Sequence, residues 1–124
     1  MYITSQRGHL DIVRELLARG ANVEAVAKNG WTSLIVASES GRLDIVRELL
    51  ARGAKVNAVS NGGFTPLMAS SCWGHVEVVR ALLAAGADKR HVANSGDTAA
   101  SVAGIGYGTS ASRGAILALL AAAP

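Results

Sequence analysis

The chain has 124 residues, half of them apolar, with 12 Lys plus Arg against 9 Asp plus Glu and a formal charge of +3. That length fits one domain or one short array, and so apolar and weakly charged a chain excludes intrinsic disorder, because it can bury enough surface to offset its ordering entropy. A lone cysteine, Cys72, excludes a disulfide scaffold and fits a reducing compartment.

The apolar half is mostly Ala, Leu and Val, with only five aromatic residues. The interior must therefore be built from small side chains at close backbone spacing, which suits helices. The opening residues, Met1 to Arg7, lack the basic start and long apolar centre of a secretion leader. The longest clean apolar stretch, Ala115 to Ala123, is well short of the ~20 residues that a bilayer needs. These features predict no membrane contact and an intracellular address, cytoplasmic with the nucleus left open.

Compared with itself, the chain repeats every 33 residues. The first element, Gly8-His9-Leu10-Asp11-Ile12-Val13-Arg14-Glu15-Leu16-Leu17-Ala18-Arg19-Gly20-Ala21, returns as Gly41 to Ala54 and again, loosened, as Gly74 to Ala87. A second block alternates with it: Gly30-Trp31-Thr32-Ser33-Leu34, Gly63-Phe64-Thr65-Pro66-Leu67 and Gly96-Asp97-Thr98-Ala99-Ala100. Each Thr is placed to cap a helix, and Pro66 falls where a first turn has no donor to lose. The preceding Asn29-Gly30, Gly62-Gly63 and Ser95-Gly96 mark tight turns. Gly41 and Gly74 should end the first helix of each pair, and Gly20, Gly53 and Gly86 the second. In the second helices Ile45, Val46, Leu49 and Leu50 form one apolar face. The first helices bury Ala37, Ser38, Ser70 and Ser71, small residues that let neighbouring units pack closely. One such pair cannot enclose its own apolar face, so stability must come from stacking.

The residues quoted resemble the ankyrin repeat family, whose units combine a Gly-x-Thr-Pro-Leu-His-x-Ala opening, a Gly-His-x-x-x-Val-x-x-Leu-Leu middle and a Gly-Ala-Asp-Val-Asn close. The resemblance implies an all-α fold, an ankyrin-repeat solenoid of stacked helix-turn-helix units with β-turn or hairpin loops. It predicts a single domain over 1–124, with a partial repeat at about 1–26 and further repeats at about 27–59, 60–92 and 93–124. Two departures stand out. Ile35, Met68 and Ser101 replace the family's His, removing the side-chain hydrogen bonds expected there, and Ala27, Ser60 and Ala93 replace the Asp that opens each turn, which predicts looser loops.

The ends also depart from the pattern. Met1 falls where Leu34 and Leu67 stand, so the first unit reads as truncated. In the last unit, aligning Leu119-Leu120 with Leu82-Leu83 requires four extra residues within Gly104–Ser112. This predicts a closing helix over Arg113–Ala123 with Leu117 in the place of Arg47 and Arg80. Such apolar ends would suit a homo-oligomer or the packing of a longer parent protein.

Catalysis has little support. Cys72 and His75 could form a thiolate pair, but no neighbour orients the imidazole. His9 and His75 are about 16–20 Å apart at ~8–10 Å per packed layer, too far to share a metal. His91 reads as a solvated turn residue. The glycines from Gly104 to Gly108 lack the third glycine and preceding strand of a dinucleotide loop. The charges do not cluster: Glu15 with Arg19 and Glu48 with Arg52 are helical i,i+4 pairs. Nucleic acid is not expected, because no groove interleaves aromatic and basic residues. No cofactor or metal is expected, and the chain reads as a non-enzyme.

What the resemblance implies instead is binding of another protein through a concave groove lined by turn tips and the exposed ends of the first helices. The matching positions are Lys28, Asn29 and Trp31, Asn61 and Phe64, and Asn94 and Asp97 at the turns, with Gln6 and Arg7, Glu39 and Ser40, and Cys72 and Trp73 at the helix ends. Val26, Val59 and Val92 flank the turns. Aromatic rings are frequent carriers of interface energy, which singles out Trp31, Trp73 and Phe64. The other reading of Trp31 and Phe64 is that they cover the neighbouring turn. The alternative expectations are a self-associating scaffold and a regulatory segment of a larger protein.

Overall fold

The structure is a computed structural model that describes residues 32–106 and 109–122. Its elements are six helices: α1 (Ser33–Glu39), α2 (Leu43–Ala51), α3 (Pro66–Cys72), α4 (Val76–Ala84), α5 (Ala99–Val102) and α6 (Ser110–Ala121). The described residues contain no strand, and Thr32 alone takes a bridge pairing.

Local chemistry sets each boundary. The hydroxyl oxygens of Thr32, Thr65 and Thr98 accept from the backbone N–H groups three residues on, at 3.2 Å in each case, which satisfies one orphan donor per helix. Pro66 occupies the first turn of α3. Gly41 and Gly74 follow α1 and α3 with φ of +72° and +76°, a left-handed conformation that reverses the chain towards the second helix. Second helices start differently, with Asp44 and Glu77 in their first turns, at the positive end of the helix dipole.

The helices form two rows. The first row is α1, α3 and α5, each packed on the next; the second is α2, α4 and α6. Contacts between α1 and α3 are denser than those between α2 and α4. The cause is side-chain size: Ala37, Ser38, Ala69, Ser70 and Ser71 are all buried where the first-row helices meet. Their size matters more than their polarity, because the hydroxyls of Ser33, Ser38 and Ser71 have no hydrogen-bond partner. Between the rows, Leu34 and Leu67 meet Ile45, Val46 and Leu49, then Val78, Val79 and Leu82, in one continuous core. Leu50 is half-buried at its margin.

Histidines tie one pair to the next. His75 Nε2 lies 2.8 Å from the Glu39 carbonyl, and the imidazole rests so close to Gly41 that a methyl group built there would come within 2.5 Å of Nδ1. His91 does the same one layer on, with Nε2 2.8 Å from the carbonyl of Gly63. It is thus a bridge between turns, not the solvated residue that its position beside Arg90 suggests. Asn57 adds a third tie, accepting from Asp88 N–H at 2.8 Å.

The turns are tighter than the missing Asp predicts. Ser60 N–H donates to the Phe64 carbonyl at 2.9 Å, and Ser60 Oγ accepts from Phe64 N–H at 3.2 Å. Ala93 N–H donates to the Asp97 carbonyl at 2.8 Å. Consecutive tips are joined as well, since Asn94 N–H donates to the Gly62 carbonyl and Asn94 Nδ2 to the Asn61 carbonyl, each at 3.0 Å.

The last pair departs from the others. α5 is a single turn of four residues, and α6 begins at Ser110, three residues before the expected Arg113. The reason is a capping box that the register concealed: Thr109 accepts from Ser112 N–H, and Ser112 Oγ accepts from Thr109 N–H. Buried Ile116 and Leu120 anchor α6, with Leu117 and Leu119 half-buried against the core.

Candidate partner-binding surface

Five of the predicted contact residues, Gln6, Arg7, Lys28, Asn29 and Trp31, lie outside the described residues. The other eight fall on two strips at opposite ends of the first-row helices.

One strip follows the turn tips. Asn61 and Asn94 are exposed, with Asn94 bonded to its neighbour as described above. Asp97 is half-buried and accepts from Ser95 Oγ at 2.8 Å and from Ser101 Oγ at 3.0 Å. Ser101 thereby supplies hydrogen bonds at a position where the loss of the family's His predicted none. Phe64 is half-buried and packs on the core, so most of its ring serves the scaffold. Val59 and Val92, at equivalent places before two tips, are 46% and 55% exposed.

The other strip follows the helix ends. Glu39 and Ser40 end α1, Cys72 and Trp73 end α3, and the His75 bridge to the Glu39 carbonyl holds the two ends together. Trp73 is 39% exposed. Glu39 is half-buried, and that loss of solvent raises its carboxyl above the usual carboxylate range.

Between the strips the helix bodies are closed. Val36 and Ala69, in the middle of α1 and α3, are only 2% and 4% exposed. Seven helical residues span ~10 Å at 1.5 Å each, so the surface consists of two lips that far apart over a sealed floor.

The loop after α5 extends the second lip. Gly104 N–H donates to the Ser71 carbonyl and Gly106 N–H to the Cys72 carbonyl, each at 2.9 Å. A methyl group built at Gly106 would come within 2.8 Å of Cys72 Sγ and 3.3 Å of the Trp73 indole, so the loop backbone lies directly against both. Ile105, 69% exposed, stands beside them. Sequence reasoning passed it over; the available signal was a large apolar residue in an otherwise small, Gly-rich run. The same geometry disposes of the Cys72–His75 pair, because the imidazole's Nε2 meets the Glu39 carbonyl and its Nδ1 faces Gly41. Among the described residues, no group of three His, Cys, Asp or Glu side chains is placed to hold a metal ion. No described helix is long and apolar enough to cross a membrane.

The two rows, the Thr caps and the Gly stops recur in a fixed register, and the sequence that carries them matches a known family: residues 1–93 fit the model for ankyrin repeats in three copies. The chain belongs to the ankyrin repeat family. Ankyrin repeats are in general protein–protein interaction modules and typically non-enzymatic. No curated protein matches the chain.

Proposed function

We propose that this ankyrin-repeat chain is a non-catalytic module that binds another protein through its concave side, with the two lips as the contact surface. The observation that carries this reading is the split between equivalent positions. The positions of Val36, Ala69 and Val102 and of Ala37, Ser70 and Ala103 are buried in every described unit, whereas those at the tips and helix ends hold Asn61, Asn94 and Trp73 in solvent, with exposed Ile105 beside them. Denser packing along the row with smaller residues supports this reading, since a row that spans less length per unit would bend a stack towards that side. A large aromatic on a preformed rigid surface contributes contact area at little entropic cost.

Affinity capture with the intact chain, Trp73→Ala and the second-row control Arg47→Ala tests this. Proteins held by the intact chain and by Arg47→Ala but lost with Trp73→Ala are the expected result; capture unaffected by Trp73→Ala contradicts it.

A second reading, self-association through the last pair, is favoured by one observation. Half-buried Leu117 and Leu119 lie on α6, and an open cavity of about 640 Å³, lined by Leu83, Ala84, Leu119 and Ala122 together with charged Asp88, Lys89 and Arg90, adjoins it. Light scattering against concentration distinguishes the two, because self-association raises the mean mass and partner binding alone does not.

A further inference from the structure

First-row helices end on carbonyl groups that need donors from outside the helix. The Glu39 carbonyl, at the end of α1, meets His75 Nε2 at 2.8 Å, and that imidazole rests against Gly41. One repeat on, the equivalent carbonyl is that of Cys72, at the end of α3, and its donor is a backbone group, Gly106 N–H at 2.9 Å. The inserted loop thus takes over the task of the histidine. The two bridges differ in what stands behind the donor. A ring wedged against the neighbouring turn holds the first, whereas the second hangs on a glycine without a side chain.

The second bridge is separable from the stack. Before it the chain is anchored: Val102 and Ala103 are buried in the core, and Gly104 sits between the Ser71 carbonyl, which accepts its N–H at 2.9 Å, and the stem of Arg113. Gly104 has φ of +74°, a left-handed turn that redirects the chain where the anchored part ends. Beyond it almost nothing is buried, since Ile105 is 69% exposed and Gly106 is exposed as well. Lifting Gly106 gives up one hydrogen bond between units and its backbone contact with Cys72 Sγ and the Trp73 indole. Segments with few buried apolar contacts and exposed backbone hydrogen bonds open at the low end of the stability range.

We infer that residues 105–106 form a strap that opens while the stack stays folded. Down, it covers the Cys72 thiol and one side of the Trp73 indole; up, it releases both to the helix-end lip. The strap goes beyond the binding reading and does not depend on it, because it opens in the free chain.

Native-state hydrogen exchange of the whole chain, in urea below the unfolding midpoint, reads the strap directly. Gly106 N–H should be protected about 2- to 10-fold, as for one net hydrogen bond, and almost independently of urea, because lifting two residues exposes little surface. Core amides such as that of Val79 should exchange far more slowly and with the urea dependence of global unfolding. Labelling of Cys72, the only cysteine, by a small uncharged thiol reagent gives a second measure. Gly106→Pro removes the donor and should speed labelling about 2- to 10-fold. Gly106→Ala, whose methyl group would come within 2.8 Å of Sγ, should speed it too, whereas Gly114→Ala, with nothing within 4 Å of the new methyl group, should label as the intact chain does. Unchanged urea midpoints in both Gly106 variants are the expected sign that strap and stack separate. Gly106 N–H exchanging together with the core amides, labelling slowed or unchanged in both Gly106 variants, or a midpoint lowered in both, overturns the inference.

Discussion

The middle of the stack and its last pair reach the same architecture by different means. In α1–α4 a seven-residue helix, a left-handed glycine and a nine-residue helix recur at a constant step, and His75 locks one pair to the next. In the last pair the first helix shrinks to one turn, the link lengthens, and α6 starts from its own capping box and runs for twelve residues. What stays constant is the burial of a branched side chain at equivalent depth, Val46, Val79 and Ile116, each fully enclosed. The core tolerates a changed link so long as the second-row helix still delivers that side chain. The freed loop then reaches back over Cys72 and Trp73 and becomes part of the surface.

That comparison can be broken first at the core. Leu49→Ala and Leu82→Ala, each removing a fully enclosed side chain, should cost ~2–5 kcal/mol, measured by urea unfolding. Leu120→Ala, at 9% exposure on the last helix, should fall at the low end of that range or below it. Equal losses at the three sites would mean that the last pair is as integral as the middle.

Gly41 sharpens the contrast. Gly41→Ala meets both a left-handed backbone and the His75 ring, whereas Gly53→Ala, at φ +88° with open space around it, meets only the backbone. Backbone strain of about 1–2 kcal/mol is common to both, so Gly41→Ala should be the more destabilising by thermal melt. Equal costs would show that the imidazole moves aside freely.

The caps come next. Thr65→Ala and Thr109→Ala should each cost about 1 kcal/mol if the last helix depends on its capping box as α3 does on its Thr. Ser71→Ala points the other way: removing a buried hydroxyl without a partner should leave stability unchanged or raise it by up to ~1 kcal/mol. A clear loss there would reveal a hydrogen bond to that hydroxyl.

The smallest effect concerns pH. Burial raises the Glu39 carboxyl, so the folded chain holds that proton more tightly than the unfolded one. Between the unfolded value and the raised folded value, stability from this group therefore declines as pH rises, and above both it stays at the lower level. Glu39→Gln removes the dependence. Its melting temperature should match that of the intact chain in acid and equal or exceed it at neutral pH.

Much of this architecture was legible because the 33-residue period repeats residues whose roles are local. Thr before a helix, Gly after it and paired Leu on one face act through neighbours a few positions away, and each did so where the register placed it. The helix ends Glu39, Cys72 and Trp73 were legible in the same way. Three things were not, and each depends on contact between units. His91 finds the Gly63 carbonyl across a gap of 28 residues. Ser60 and Ala93 keep their turns closed through backbone pairing that needs no Asp. The inserted loop lies against Cys72 and Trp73 because glycines at 104 and 106 allow its backbone to approach. Periodicity encodes what every unit does alike; it is silent on a contact that occurs once.

The central claim is that recognition and folding use different side chains of the same register. Urea unfolding and partner binding, measured together on Trp73→Ala and Leu49→Ala, test it most directly. The account predicts that Trp73→Ala loses binding while unfolding near the midpoint of the intact chain, and that Leu49→Ala loses stability while its folded fraction still binds. A Trp73→Ala chain destabilised as severely as Leu49→Ala, or one that binds unchanged, would contradict it.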